Sequence, residues 1–171
     1  MTSDRGAVTI RHNLRPGDLG RVISLHGELY AQEYSLDAGF EAYVAETVAE
    51  YGKLRRPDLD RLWLAEQDGR LVGCIAILGR EAVGREAGAA QLRWFLVDPE
   101  TRGQGLGRRL VRLALEFCRE AGYPAVYLWT VNGLEAAARL YCEAGFQKTE
   151  TKPAALLWGV PLSEERYDLT L

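Results

Sequence analysis

The stretch Arg102-Gly103-Gln104-Gly105-Leu106-Gly107 holds the residue types and spacing best suited to chemistry in this chain. Three glycines alternate with larger residues just before a run of helical apolar spacing. Glycine lets the backbone turn sharply and approach a ligand closely, and the first N–H groups of a helix have no partner within it. Those groups and the helix dipole favour a bound anion, so the stretch reads as a phosphate cradle. It is not a Walker A loop, because no Lys-Ser or Lys-Thr follows the glycines. A dinucleotide fingerprint also fits poorly, since Asp98-Pro99-Glu100-Thr101 stands between the preceding strand-like run and the turn. The same glycines can equally serve only to make a tight turn.

The elements that must position this turn are legible around it. Residues 91–97 read as a strand, ended by Pro99. Leu106, Leu110, Leu113, Phe117 and Ala121 form one face of a helix, closed by Gly122 and Pro124. Residues 125–131 are continuously apolar, as a buried parallel strand would be. Asn132-Gly133 then turns into a helix over 134–144, capped by Gly145. Upstream, a short strand is predicted over 7–11. A helix follows with Asp18 as its N-cap and Leu19, Val22, His26, Leu29, Tyr30 and Glu33 at helical spacing. A second helix is predicted over 37–51, ended by Gly52. Apolar runs over 61–67 and 71–78 flank Asp68-Gly69, a hairpin signal. A small-residue loop over 79–88 leads into a strand over 89–97. Strands over 146–151 and 166–171 close the chain, with an apolar loop over 153–161 between them. No repeat or linker divides the sequence, so one domain over 1–171 is expected. The element order is that of a mixed α/β sheet with a parallel pair across the third helix.

Composition narrows the function classes. The chain has 171 residues, 47% hydrophobic and 26% charged, the profile of a soluble globular protein. A net charge of −3 gives no basic field, so no nucleic-acid partner is expected. No apolar run approaches the roughly 20 residues of a membrane span, and the first residues carry no apolar signal segment. No membrane association is therefore expected, and a cytoplasmic location is. Cys74, Cys118 and Cys142 are odd in number and lack metal-ligand spacing, and His12 and His26 are the only histidines. No metal site is expected.

The pieces Leu-Val-Asp-Pro-Glu-Thr-Arg-Gly-Gln-Gly-Leu-Gly-Arg-Arg-Leu (96–110) and Ala-Ala-Arg-Leu-Tyr-Cys-Glu-Ala-Gly-Phe (137–146), joined by a buried strand, resemble the GCN5-related N-acetyltransferase (GNAT) family. The second half is closest in pattern to the acetyltransferase domain of MarR-type regulator fusions. The resemblance implies a GNAT fold: a mixed, mostly antiparallel sheet of about seven strands, a central splayed parallel pair and four main helices. It also implies acetyl-coenzyme A as co-substrate, and direct attack by a primary amine of a small molecule or peptide. A non-catalytic acyl-coenzyme A sensor is the alternative. The oligomeric state stays open between monomer and homodimer.

By the same resemblance, Leu96 and Val97 pair with the pantetheine arm. Arg102, Gly103, Gln104, Gly105, Leu106, Gly107 and Arg108 hold the pyrophosphate. Asn132 either bonds the pantetheine or orders its turn. Tyr141 is the acid that assists departure of the coenzyme A thiolate, a demanding role for a phenol of pKa about 10 beside a thiol of about 8.5. Many relatives carry a glutamate where this chain has Gln91, which cannot accept a proton. Water positioned by Gln91, or a carboxylate such as Glu33 or Glu28, would take that role. Gln91 and Arg93 share a strand face, since alternate strand residues point the same way. Arg93 there would suit an acceptor that also carries an acidic group. Tyr30 and Trp158 are further candidates to line the acceptor pocket.

Overall fold

Asp68 and Gly69 both take positive φ (51° and 77°), which matches the twist of a two-residue hairpin. They join β2 (Arg61–Gln67) to β3 (Arg70–Gly79) in antiparallel pairing. The computed structural model describes residues 6–79 and 87–171. The first five residues and most of the predicted loop over 79–88 lie outside the described residues. The remaining elements are β1 (Thr9–Arg11), α1 (Asp18–Tyr34), α2 (Ala38–Leu54), β4 (Ala90–Val97), α3 (Leu106–Glu120), β5 (Ala125–Val131), α4 (Glu135–Glu143), β6 (Gln147–Thr151), β7 (Ala155–Leu157), β8 (Val160–Leu162) and β9 (Glu164–Thr170). Among the described residues, seven strands form one sheet in the order β1-β2-β3-β4-β5-β9-β6, in which only β4 and β5 pair in parallel. Four helices and this sheet give the expected mixed α/β GNAT fold.

Each sheet face buries one apolar layer. α3 covers one face, with Leu110 and Ala114 against Ile75, Ile77, Ala90 and Val126. α1 and α2 cover the other, with Val22, Val44 and Val48 against Leu62, Leu64 and Ala76. β4 changes sides within its length. Ala90 and Leu92 belong to the α3 layer, whereas Trp94 and Leu96 belong to the α1–α2 layer together with the Arg93 side. The cause is a β-bulge: Cys74 pairs with Leu96 and Ala76 with Arg93, so two steps of β3 match three of β4. Trp94 takes φ 48° at the bulge. A bulky residue in that region costs about 1–2 kcal/mol. Burial of the indole offsets it, because Trp94 is only 7% exposed and its ring meets Tyr51 edge-on at 5.5 Å. Trp94 Nε1 also donates to Thr47 Oγ1 (3.3 Å), and the Cys74 thiol donates to the Trp94 carbonyl (3.0 Å).

Four details differ from the sequence expectations. Asp18 is not an N-cap: Gly17 occupies that position at φ 94°. The buried Asp18 carboxylate instead accepts from Arg15 N and, through both oxygens, from Arg11 (2.8 Å each). Arg11 also donates to Glu66, so it ties α1 to β1 and β2 and holds both carboxyls below their usual range. α2 begins after Asp37, which caps Gly39 N, and continues through Gly52 to Leu54, because Val44, Val48 and Tyr51 keep it seated on the sheet. β9 starts at Glu164 rather than 166 and inserts between β5 and β6. The apolar segment over 153–161 is a hairpin, β7 paired with β8, turning at Trp158 (φ 49°) and Gly159 (φ 82°).

The bulge gives an inverted substitution order. Trp94→Ala lowers the unfolding free energy by about 3 kcal/mol or more through the lost indole. Trp94→Gly is expected to be about 1 kcal/mol less damaging than alanine, the reverse of the usual strand preference, because glycine removes the strain of positive φ. Urea unfolding of the two variants checks this.

Candidate active site

β4 and β5 hydrogen-bond only at their beginnings, through Ala90 with Val126 and Gln91 with Tyr127. Beyond Gln91 the strands diverge, although β4 stays paired with β3 and β5 with β9 along their lengths. A bulge bends its strand and raises the local twist, so the bulge at Trp94 drives the divergence. The result is a V-shaped gap with Gln91 at its vertex. Two cavities open on this gap, and Tyr30, Phe95 and Leu134 border both.

The larger cavity, about 250 Å³, lies between the end of β4, the start of α3 and one side of α4. Leu96, Val97, Arg102, Gly103, Gly105, Leu106, Gly107 and Arg108 border it, as the sequence suggested; Gln104 and Asn132 are not in its lining. Gly105 is the N-cap of α3 at φ 81°, and no side chain caps that end of the helix. Gly107 has a different purpose. A Cβ there would stand 2.7 Å from Leu140 Cδ1 and 3.5 Å from Phe95, so its absence lets α3, α4 and β4 meet at the cleft floor. Arg102 donates from Nε to the Val97 carbonyl (2.9 Å) and from both terminal nitrogens to Glu33 (2.7 Å each). Arg108 donates from Nε and one terminal nitrogen to Glu143 at the cleft rim (2.8 and 3.1 Å). Both pairs face solvent, where water screens them, so an incoming anion can displace them. Uncapped helix N–H groups, displaceable arginines and an open strand edge fit a diphosphate bearing an extended amide arm.

The smaller cavity, about 130 Å³, lies on the α1–α2 side of the gap. Tyr30, Gln91, Arg93 and Trp158 all border it. The Arg93 guanidinium lies 5.7 Å from the Tyr43 ring centre and donates to the Tyr43 hydroxyl (2.7 Å). Tyr30 stacks on Phe40 at 4.5 Å, and Phe40 meets Trp158 edge-on at 5.0 Å. Trp158 reaches this cluster because its carbonyl accepts from Asp37 N (3.0 Å), docking the β7–β8 hairpin on the start of α2. Glu33 borders the larger cavity and not this one, with both oxygens on Arg102.

Tyr141 is 4% exposed, packs against Phe95 at 5.8 Å, and borders the smaller cavity beside the junction. Burial raises its phenol well above the ordinary range, with smaller contributions from Tyr30 and Tyr167, so it keeps its proton at any physiological pH. Asn132 orders its turn: its Oδ1 accepts from Ser163 N (2.8 Å) and its own N–H donates to the Ser163 carbonyl (2.9 Å). Sequence reasoning passed over His26, Phe40 and Tyr43, which also border the smaller cavity. For His26 a signal was available: an imidazole in step with Val22 and Leu29 on the buried stripe of α1. His26 Nδ1 lies 2.8 Å from the Val22 carbonyl. Among the described residues, two buried side-chain polar atoms lack any hydrogen-bond partner: His26 Nε2 and Gln91 Oε1.

Residues 26–146 match the profile of the Acetyltransferase (GNAT) family. N-acetyltransferase family 8 member 2 of Rattus norvegicus is 40% identical over 87 residues, which are 51% of this chain and 38% of the rat protein. The chain thus spans about two-fifths of the length of that relative. An uncharacterised N-acetyltransferase of Schizosaccharomyces pombe is 31% identical over 71% of this chain and 72% of its own length. Among solved structures, an acetyltransferase from Acinetobacter baylyi superposes with a TM-score of 0.78 over 100% of this chain and 95% of its own, at 16% identity. One from Salmonella typhimurium, solved with acetyl-coenzyme A, gives 0.70 over 97% and 95%, at 20% identity. At such identities these two structures speak for the fold alone.

Burial lowers the His26 imidazole from 6.5 to about 4, against a smaller opposing effect of the bond to Val22. As pH falls, the unfolded chain takes up this proton before the folded one does. The contribution to stability is therefore intact above about 6.5 and is lost as pH falls towards about 4. Between about pH 7 and about pH 5 the loss should be about 2 kcal/mol, and His26→Phe should abolish that part of the slope. Urea midpoints of both proteins at the two pH values check it.

Proposed function

Because the chain belongs to the acetyltransferase (GNAT) family, a family of acetyl-coenzyme A-dependent N-acyltransferases, we propose that residues 1–171 act as one domain transferring an acetyl group to a primary amine. The acceptor in this reading is a small molecule or peptide that also carries an acidic group. The observation that carries the reading is the meeting of two cavities at Tyr30, Phe95 and Leu134, one suited to a diphosphate and the other to an organic acceptor. A thioester carbonyl at that junction would be open to a nucleophile from the opposite side. Free cysteines and the lack, among the described residues, of a helix long and apolar enough to cross a membrane leave the proposed location as the cytoplasm.

Each residue then has a physical task. The first N–H groups of α3 and the guanidinium of Arg102 hold the diphosphate, with Glu33 released from Arg102 as the anion enters. The open edge of β4 beyond Gln91 pairs with the amide-bearing arm. The amine nitrogen attacks the thioester carbon directly: a C–N bond forms, the C–S bond breaks, and the proton lost by the amine passes through water to the departing sulfur, which leaves as the thiol. Tyr141, whose proton is held firmly by burial, stabilises the leaving sulfur by donating a hydrogen bond. Arg93, which also donates to Tyr43, supplies a positive charge for the acceptor's acidic group, while Phe40 and Trp158 take its apolar part.

Two measurements test this. Tyr141→Phe should lower kcat for thiol release with an amine panel about 100-fold while leaving acetyl-coenzyme A binding unchanged. Wild-type protein that binds acetyl-coenzyme A yet releases no thiol with any amine would instead mark a binding module. Arg93→Ala should raise KM about tenfold for an amine bearing a carboxylate and leave its carboxylate-free counterpart unaffected.

A further inference from the structure

His26 and Gln91 come from different elements, α1 and the vertex of the β4–β5 gap, yet both border the same cavity. Both are more than nine-tenths buried, at 3% and 9% exposure. The bond between His26 Nδ1 and the Val22 carbonyl settles the tautomer. A carbonyl only accepts, so Nδ1 carries the hydrogen and Nε2 presents a lone pair. Gln91 Oε1 also only accepts. Two acceptor atoms thus stand unsatisfied on residues that border one cavity, whereas buried polar groups are nearly always paired. His26 stacks on Tyr30 at 5.9 Å, and Leu36 and Val44 line the same cavity.

We infer that His26 Nε2 and Gln91 Oε1 form a subsite that receives the two N–H groups of the acceptor's primary amine. This rests on the reading of the smaller cavity as the acceptor pocket. A neutral primary amine has two hydrogens and one lone pair. With both hydrogens held by the two acceptors, its lone pair is left for the carbonyl carbon at the junction. A secondary amine or an alcohol has one hydrogen to offer and leaves one acceptor orphaned, so the pair discriminates against both. Burial keeps the imidazole neutral, which preserves the lone pair on which the subsite depends. His26 is then a specificity-determining residue that touches the substrate, and Gln91 gains a role that needs no proton transfer.

The chain has two histidines, the buried His26 and the exposed His12, so the imidazole nitrogens can be resolved by nitrogen-15 NMR. Coenzyme A-loaded protein is titrated with phenethylamine to millimolar concentration. The His26 Nε2 resonance should start at the position of an unprotonated nitrogen and move as it accepts a hydrogen bond, with His12 unmoved. A resting spectrum with the hydrogen on Nε2, or an Nε2 resonance that phenethylamine leaves in place, would overturn the subsite. In kinetic assays wild-type protein should prefer phenethylamine over N-methylphenethylamine, and His26→Phe should reduce that preference about tenfold, the factor one buried hydrogen bond carries. His26→Gln, which restores an acceptor atom, should recover part of it. An unchanged preference in His26→Phe also overturns the subsite. A shifted Nε2 resonance without any acetyl transfer would overturn the transferase reading and leave the subsite standing.

Discussion

The left-handed backbone of Trp94 is the constraint from which the site follows. It adds one residue to β4 against β3, and this turns the strand's second half away from β5. Without that extra residue the two parallel strands could continue their ladder past Gln91, and no gap would exist for a ligand. The strained residue persists because α2 grips its indole, through Tyr51 and Thr47, more strongly than the backbone resists. The opening in the sheet is therefore maintained by a helix that itself contributes to only one of the two cavities.

α1 is one of the elements common to both sides. Along one face it presents His26 to the smaller cavity, Tyr30 to both cavities, and Glu33 to the larger one. Its placement depends on Arg11, which ties the buried Asp18 to Glu66 on β2. A polar anchor at the first turn thus sets the register of three site residues further along. The helix links the two cavities physically, since Glu33 holds Arg102 on one side while Tyr30 and His26 border the other.

Most of the fold could be read from the sequence where local chemistry decides it. Asp68-Gly69 announced its hairpin, the apolar stripe from Leu106 to Phe117 announced α3, and the glycines at 103 and 105 announced the uncapped helix start. The misreadings have a common cause in tertiary packing. Gly52 did not end α2, because neighbouring apolar residues hold the last turn on the sheet. Trp158-Gly159 makes a hairpin turn without the usual Asn or Asp. The face shared by Gln91 and Arg93 was legible from strand alternation. The switch after Arg93 was not, because a bulge leaves no local signature in a run such as Leu92-Arg93-Trp94-Phe95. His26 stands in the apolar stripe of α1, but its unsatisfied nitrogen becomes visible only when its neighbours in space are known.

The β7–β8 hairpin is spliced into the chain between the two strands that finish the sheet, and it supplies Trp158 to the smaller cavity from outside the main core. The larger cavity draws nothing from it. The two cavities are therefore modular in this architecture. Lengthening, shortening or exchanging this appendage would reshape the smaller cavity while the larger one kept its walls, which makes it the natural place for divergence and the practical place for engineering.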